Sequence, residues 1–418
     1  MTWLKSVTHT AMEKAAPSID LEFAEKLREQ FGTPLYILFE EVVAAKSSSW
    51  EAINQPVHLS YATKANPTLE VLRWFADRGW SLDVASEGEL RAALTAGVSA
   101  ADCRFHGNAK LQSELEFALG AGIGEIIADN MEELEMIASC VGGQTAMPRL
   151  ALRVAPGVNP ETNAKISTGG AASKFGFSWP EGEVIPAWEL ATELGLQPSG
   201  LHAHIGSQII DLQASKESAE TLGQIAAEVE SRFPHALKSV NFGGGLGVAN
   251  GVPSPKEYML ASLETFPRKD LEFGFEPGRS MVADAGKTLY SVAAIKRRQG
   301  KLLVSVDGGL SDNPRPALYG AKYDVEPLRK SAQTESADIF GRHCETDLLF
   351  EDIQVPTDLE IGDLLLVHGT GAYNATMASN YNRFPRPAQV FLRSSGEVQL
   401  IQRRETYQDM FAREILPR

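Results

Sequence analysis

Short apolar runs alternate with helix-like stretches from about residue 33 to residue 285. The stretches between the runs, such as Gly88–Ala96 and Ser215–Arg232, carry apolar residues at helical spacing. Such alternation over roughly 250 residues is typical of a parallel α/β sheet or a (β/α)8 barrel, and about eight strands in that length favour the barrel. The predicted strands are Leu35–Phe39, Val57–Ala62, Ser81–Val84, Cys103–His106, Glu125–Ala128, Arg149–Val154, Gly200–His204, Ser239–Phe242 and Glu272–Glu276.

The pattern changes after Gly286. Strand-like runs joined by Gly, Pro and Asp turns follow one another there with few helical stretches between them, which predicts an all-β second domain. We therefore expect a barrel over residues 33–285 and a β domain made of residues 1–32 and 286–418. We also expect the strand Leu35–Phe39, which precedes the other barrel strands, to pair with the β domain. The predicted strands of this domain are Thr288–Ile295, Lys301–Val306, Ile353–Val355, Leu364–His368 and Gln389–Leu392.

The composition argues against nucleic-acid-binding, membrane-spanning and secreted proteins. The chain has 418 residues, of which 43% are hydrophobic and 22% charged, as in an ordinary globular protein. A net charge of -15 argues against nucleic acid and anionic membranes as partners. No apolar run approaches the ~20 residues that span a bilayer, and the N-terminus lacks a signal-peptide core. Three cysteines form no disulfide framework, so we expect a cytoplasmic protein.

Lys64 is the most informative single residue. It follows the predicted strand Val57–Ala62 directly, and Asn66 and Pro67 end that strand. A lysine held at the carboxyl end of a strand can form a Schiff base, as in enzymes that carry pyridoxal phosphate (PLP). Taken alone, Lys64 is better interpreted as a partly exposed lysine with no chemical role.

Two later segments could hold charged groups. Asn241–Val248 has three consecutive glycines after a strand, so its backbone N–H groups are unobstructed, and a helix starting directly after it would favour an anion. A tight turn explains these glycines equally well. In Gly274–Gly286, the Glu276 carboxylate could pair with a protonated pyridine nitrogen, and Arg279 could hold a phosphate or a substrate carboxylate. The alternative is a surface Glu–Arg pair.

Two histidines, His202 and His204, lie two residues apart on a predicted strand and so face the same side of it. No Cys, His or Glu at metal-ligand spacing accompanies them in the sequence, so we expect no metal. A flat imidazole could instead stack on an aromatic cofactor, and the Ser207 hydroxyl could donate to a phosphate.

Two segments of the predicted β domain are rich in polar and aromatic residues. In Gly341–Asp347, neighbouring carboxylates would keep the Cys344 thiol protonated and thus able to donate a proton. In His368–Pro387, Tyr373 follows two small residues and could reach a ligand. The alternative for both is an irregular loop, although loops of this composition often carry function.

In this order and at these intervals, the segments resemble the fold-type III PLP-dependent decarboxylases, and among them the diaminopimelate decarboxylases. The resemblance runs from Gly32 to Val390. It implies an alanine racemase-like PLP-binding (β/α)8 barrel, a C-terminal β-barrel or sandwich domain, and a homodimer with shared active sites. The motifs that carry it are YATKAN (61–66), HIGSQ (204–208), GGGLG (243–247), EPGRS (276–280), RPALYG (315–320) and GAYNATMASNYN (371–382).

The resemblance also implies roles for individual residues. Lys64 would bind the cofactor covalently, and Cys344, supplied with Glu345 by the partner subunit, would return a proton. The implied cofactor-binding residues are Lys64, Asp83, His204, Ser207, Gly244, Gly245, Glu276, Gly278, Arg279 and Tyr373. The implied substrate-binding residues are Arg279, Arg315, Tyr319, Glu345 and Tyr373.

The implied reaction is decarboxylation of meso-2,6-diaminopimelate to L-lysine and CO2. Arg315 and Tyr319 favour a substrate with a distal carboxylate, because relatives that act on ornithine place an acid in this region. Two departures from the family pattern leave the substrate open: only two residues separate Cys344 from Asp347, and Asn163 stands where diaminopimelate enzymes commonly have histidine.

Several alternatives therefore remain. A related decarboxylase could act on another amino acid or carboxylate-bearing conjugate in siderophore, antibiotic or polyamine metabolism. A catalytically inactive homologue fits less well, because Lys64, Glu276 and Cys344 are all present. A racemase of the same barrel class also fits less well, since it would carry a tyrosine in place of the cysteine motif.

Overall fold

Eight parallel strands close into a barrel. The structure, a computed structural model, describes residues 17–142, 147–158, 169–170, 173–249 and 251–417. The strand Val57–Ala62 pairs with Ser81–Val84 on one side and with Glu272–Phe275 on the other, which completes the ring. The barrel strands are Val57–Ala62, Ser81–Val84, Cys103–Phe105, Glu125–Ala128, Arg149–Ala155, Pro198–Ala203, Ser239–Asn241 and Glu272–Phe275. The barrel predicted from the alternating pattern is confirmed.

Helices cover the outside of the barrel because each presents an apolar side to the strands. Leu69–Ala76, for example, buries Val71, Leu72 and Phe75. Side-chain caps define several helix starts, as where Ser86 accepts the N–H of Glu89. The barrel helices are Glu40–Glu51, Leu69–Ala76, Glu87–Thr95, Gln112–Ala121, Met131–Val141, Val184–Glu193, Gln213–Arg232, Pro255–Thr265 and the short Arg279–Val282.

A second, mixed sheet forms the β domain. Its long strand Gly286–Arg298 pairs antiparallel with Leu35–Phe39, which pairs in parallel with Ala388–Leu392. Leu35–Phe39 therefore lies in this sheet, as expected of that strand, and outside the barrel, although the predicted barrel boundary at residue 33 included it. The other strands are Lys301–Val306, Val325–Pro327, Thr334–Phe340, Leu348–Pro356, Leu364–His368 and Val398–Gln402, and a two-residue strand, Phe177–Ser178, pairs beside the barrel strand Arg149–Ala155.

Several elements escaped the sequence pattern. Thr334–Phe340 is polar in its first half and buries only its later residues, so its apolar run is too short to recognise. Val398–Gln402 lies at an edge and is only partly buried. The helices Leu21–Phe31, Arg315–Tyr319 and Tyr407–Phe411 complete the regular elements. Among the residues that the structure describes, no helix has the length and apolar character to cross a bilayer.

One apolar core spans both domains, and Leu289, Leu366 and Phe391 of the second sheet contribute to it with the barrel residues. A second apolar core lies within the β domain. At their junction the backbones of Gly286 and Gly371 are packed so closely that a Cβ on Gly286 would overlap Gly371. A glycine is therefore required where the chain passes from the barrel to the second sheet.

Replacing Gly286 with alanine should destabilise the protein by about 1–3 kcal/mol, because the added methyl overpacks a backbone contact. Urea denaturation followed by circular dichroism measures the loss. Gly120→Ala is the matched control, since Gly120 lies in a helix with open space around its Cβ position. A midpoint for Gly286→Ala equal to that of the unmodified protein would contradict this account of the junction.

Candidate functional site

A cavity of about 990 Å³ opens at the carboxyl ends of the barrel strands. Residues that follow these strands line it, and residues of the β domain line its opposite side. Active sites of (β/α)8 barrels lie at this end, because the loops after the strands converge there. Of the residues proposed from the sequence, it contains Lys64, Asp83, His204, Ser207, Gly245, Glu276, Gly278, Arg279, Arg315, Tyr319 and Tyr373.

Lys64 lies two residues beyond the strand Val57–Ala62, in a short 3-10 turn. The turn is held by Thr63, whose hydroxyl contacts the carbonyl of Asp83 (2.7 Å) and the carboxylate of Glu89 (2.8 Å). The carbonyl of Ala65 accepts the backbone N–H of Tyr373 at 2.9 Å. Both domains thus fix the turn that carries Lys64.

Glu276 is the centre of a buried polar cluster at the floor of the cavity. Its Oε2 lies 2.9 Å from Nε2 of His202, and its Oε1 accepts from Nδ2 of Asn241 at 2.6 Å. Nε2 of His106 lies 3.2 Å from Oε1 of Glu276 and 3.7 Å from Oδ1 of Asp83. These side chains come from or directly after five different barrel strands, so the closed barrel brings them together.

The charges of this cluster follow from burial and proximity. Burial would raise the pKa of Glu276, but His106 and His202 hold that pKa well below its ordinary value. Burial would lower the pKa of His106, but Glu276 and Asp83 outweigh it and raise the pKa to about 9. Burial lowers the pKa of His202 to about 4. At neutral pH Glu276 is therefore anionic, His106 cationic and His202 neutral.

Asp83 leaves the cluster with an uncompensated charge. Burial and the neighbouring Glu276 raise the pKa of Asp83 to about 6, so it is mostly ionised at pH 7. Its buried Oδ1 has no hydrogen-bond partner among the described atoms. Two carboxylates and one imidazolium carry a net charge of about -1, which a protonated pyridine nitrogen would neutralise. The residues present therefore fit the PLP ring.

Three side chains of this cluster have the spacing of a metal site. The sequence did not show that they come together. The ligand atoms of His106, His202 and Glu276 lie within 4.8 Å of one another. Both histidines also contact Glu276 directly, so the three side chains form one connected polar cluster.

His204 lines the cavity as a neutral ring. Its burial, and then the charge of Lys64, hold its pKa well below the ordinary value. Its Nδ1 accepts the N–H of Gly244 at 3.3 Å, which fixes the ring orientation. An uncharged imidazole of this kind is suited to stack on an aromatic cofactor.

The glycine-rich loop packs against the loop that follows His204. Ile209 donates to the carbonyl of Gly245 (2.9 Å) and accepts from the N–H of Gly247 (2.8 Å). A Cβ on Gly244 would overlap the carbonyl oxygen of Glu276, and a Cβ on Gly245 would overlap that of Gly206. Close approach of three backbones therefore requires these glycines, and Gly244 does not itself line the cavity.

One expectation about this loop was wrong. The helix after it begins only at Pro255, so no helix N-terminus directly follows the glycines. The helix instead supports the loop through the hydroxyl of Tyr258, which donates to the carbonyl of Gly244 at 2.8 Å.

Two arginines form one wall of the cavity with Tyr373: Arg279 follows the last barrel strand, and Arg315 belongs to the β domain. The Cζ of Arg279 lies 4.6 Å from the Tyr373 ring, and that of Arg315 lies 5.6 Å from the rings of Tyr373 and Tyr319. Arg279 donates to Oγ of Ser207 (3.1 Å), and Arg315 donates to the hydroxyl of Tyr323 (2.9 Å). Neither guanidinium forms an ion pair with a carboxylate in the part of the chain that the structure describes. This wall can therefore bind anions.

Cys344 and Glu345 lie outside this chain's own cavity. Both are exposed. The N–H of Cys344 donates to Oδ1 of Asn382 at 2.9 Å, and Glu345 accepts from the hydroxyl of Tyr381. Neither residue therefore joins Lys64 in lining the cavity of its own chain.

Asp347, the acid of the shortened motif, is buried and takes part in local contacts. Its Oδ2 accepts from Nδ1 of His343 at 2.6 Å, and its Oδ1 accepts from the N–H of Leu310 at 2.9 Å. Asp347 therefore shapes the loop that carries Cys344 and does not line the cavity. Asn163 lies outside the described residues.

Sequence reasoning missed several residues of the site. His106, Asn241, Arg153 and Tyr323 belong to it or to its immediate support. His106 was included in a predicted strand, and the strand in fact ends one residue earlier, at Phe105. A polar residue at the end of a buried strand was the available signal.

Comparison with known proteins identifies the family. Residues 40–283 match the family described as pyridoxal-dependent decarboxylase, pyridoxal binding domain. A diaminopimelate decarboxylase of Actinosynnema pretiosum subsp. auranticum is 38% identical over 406 residues, covering 94% of this chain and 91% of that protein. One from Bacillus subtilis is 37% identical, with 92% of each chain covered.

Solved structures point to the same family. A diaminopimelate decarboxylase of Helicobacter pylori complexed with L-lysine has a TM-score of 0.87 and 30% identity, covering 93% of this chain and 98% of that one. Another, from M. jannaschii and also complexed with L-lysine, has a TM-score of 0.87 and 33% identity, with 94% of each chain covered. The chain belongs to the pyridoxal-dependent decarboxylase family and, within it, to the diaminopimelate decarboxylases.

Proposed function

We propose that this protein decarboxylates meso-2,6-diaminopimelate to L-lysine and CO2 with PLP as its cofactor. The observation that carries the proposal is one cavity lined by Lys64, Glu276 and two arginines that form no ion pair with a carboxylate of the described residues. Lys64 and Glu276 suit the cofactor, and the arginines suit the acidic groups of cofactor and substrate.

When bound, PLP supplies an electron sink for the electron pair released as the bond between Cα and the carboxylate breaks. Lys64 would hold the cofactor through its side-chain amine. Glu276 would keep a proton on the ring nitrogen, and His204 would stack on the ring. Arg279, Ser207 and the glycine-rich loop are placed to hold the phosphate.

Arg315 is the proposed contact for the distal carboxylate of the substrate. Its guanidinium lies against Tyr319 and Tyr373, and its Nε is oriented by the hydroxyl of Tyr323. A planar guanidinium held in this way can bind a carboxylate through two N–H groups at once. A substrate that has an ammonium group but no carboxylate at that end would lack this contact and would bind less well.

The proton donor is proposed to come from a second copy of the chain. Cys344 is exposed and does not line its own cavity, which supports its presentation to Lys64 by another subunit. A homodimer with shared active sites satisfies this requirement. An exposed thiol also needs a reducing compartment, which supports a cytoplasmic location. We also propose that the barrel domain extends from about residue 40 to residue 285.

The reaction is tested by measuring CO2 release from meso-diaminopimelate, lysine, ornithine and carboxynorspermidine side by side. We expect turnover of meso-diaminopimelate and its loss in Lys64→Ala, together with loss of the visible absorption of the bound cofactor. Lys216→Ala, at an exposed lysine of the helix Gln213–Arg232 that does not line the cavity, is the control for the change of charge. Turnover of another substrate but not of meso-diaminopimelate would reject the assignment.

Arg315→Ala should raise KM roughly tenfold to a hundredfold, as expected for losing a charge-assisted hydrogen bond, and leave the cofactor spectrum unchanged. Steady-state kinetics and absorption spectra of the same preparation measure the two effects. Arg297→Ala, at an exposed arginine paired with Glu335, is the control. A changed spectrum with an unchanged KM would show that Arg315 serves the cofactor instead.

Shared active sites predict complementation between two inactive variants. Lys64→Ala and Cys344→Ala, mixed after mild dissociation, should regain about a quarter of the wild-type activity, because half of the randomly formed dimers contain one intact site of two. Each variant mixed with itself is the control. Recovery of no activity, with mixed dimers demonstrated by mass spectrometry, would place both residues in one subunit's site.

A further inference from the structure

We propose that His106 is a positioning residue that keeps Glu276 ionised and directed at the cofactor ring nitrogen. The inference rests on the proposed PLP site and adds a residue that the sequence motifs did not include. His106 acts on the cofactor through Glu276 and is not itself placed to exchange protons with the substrate.

The first step is the burial of Glu276, which is 7% exposed. A carboxylate removed from water takes up a proton unless charges or hydrogen bonds compensate for its burial. A protonated Glu276 could not stabilise a proton on the ring nitrogen. The protein must therefore hold Glu276 ionised by other contacts.

The second step is to compare the side chains that contact Glu276. Asn241 donates a neutral N–H group, and His202 is uncharged at neutral pH because burial lowers its pKa to about 4. His106, 3.2 Å from Oε1, is protonated. Among the described side chains in contact with Glu276, His106 thus supplies the positive charge.

The third step concerns the groups around His106 itself. Asp83 on one strand and Glu276 after another face its Nε2, and the ring of His202 packs against it edge-on at 4.9 Å. Without the imidazolium, two buried carboxylates would face each other with no cation between them. The pKa of at least one of them would then rise, because two like charges around the same buried position oppose each other's ionisation.

The test replaces His106 with glutamine, which retains an N–H donor but has no charge, and with lysine, which restores the charge. We expect His106→Gln to bind PLP roughly tenfold more weakly and to lose about tenfold to a hundredfold in kcat with little change in KM. Nitrogen-15 NMR of cofactor labelled at the ring nitrogen should show loss of the ring proton in His106→Gln and its return in His106→Lys. His58→Gln, at an exposed histidine near Glu272, is the matched control.

The pH profile gives a second readout. A raised pKa means that the imidazolium is present below about pH 9 and is lost above it. Wild-type kcat should therefore fall on the alkaline side of the pH profile, and in His106→Lys the fall should move to higher pH. In His106→Gln this component of the profile should be absent.

The proposal would be overturned by a ring nitrogen that stays protonated in His106→Gln with kcat unchanged. It would also be overturned by a stoichiometric metal ion in the wild type that His106→Gln loses, since His106 would then be a ligand. Wild-type protein without the absorption of bound cofactor would instead reject the proposed function. Circular dichroism checks folding, and if His106→Gln is unfolded, the His106→Lys profile alone decides.

Discussion

The structure depends on keeping one carboxylate ionised in the floor of a closed barrel. Glu276 is buried, and its partners His106, His202 and Asn241 come from separate strands or the loops directly after them. Burial alone would neutralise this group, so the surrounding contacts determine its charge. The need to hold several donors around one acid explains why the site lies where all the strands converge.

The β domain is as necessary to the cavity as the barrel. The strand Leu35–Phe39 precedes the barrel in sequence yet is bonded into the second sheet, so the two domains are joined by both ends of the barrel. The backbone contact from Tyr373 to Ala65 then brings the β-domain loops to the Lys64 turn. Arg315 and Tyr373 thereby form the wall that faces the cofactor residues, and their anion-binding character complements the acidic floor.

The sequence pattern predicted most barrel elements because buried parallel strands are short, continuous apolar runs separated by amphipathic helices. It was weaker in the second sheet, where strands such as Thr334–Phe340 are partly polar. The sequence pattern was also weaker for site residues that do not stand in a motif. Lys64, His204 and Glu276 stand in recognisable motifs, whereas His106 is a single polar residue after a strand, and its role depends on contacts with residues distant in sequence.

The sequence by itself determined the fold class through strand–helix alternation, and it indicated the cofactor and the family through the resemblance of its ordered motifs to a known family. Only the tertiary structure decided the charges of the site, because the pKa of His106 or Asp83 depends on burial and on neighbours from other strands. It also decided that Asp347 supports a loop and that Cys344 lies away from its own cavity. Distances between residues far apart in sequence are set by barrel closure and domain packing, which no local pattern records.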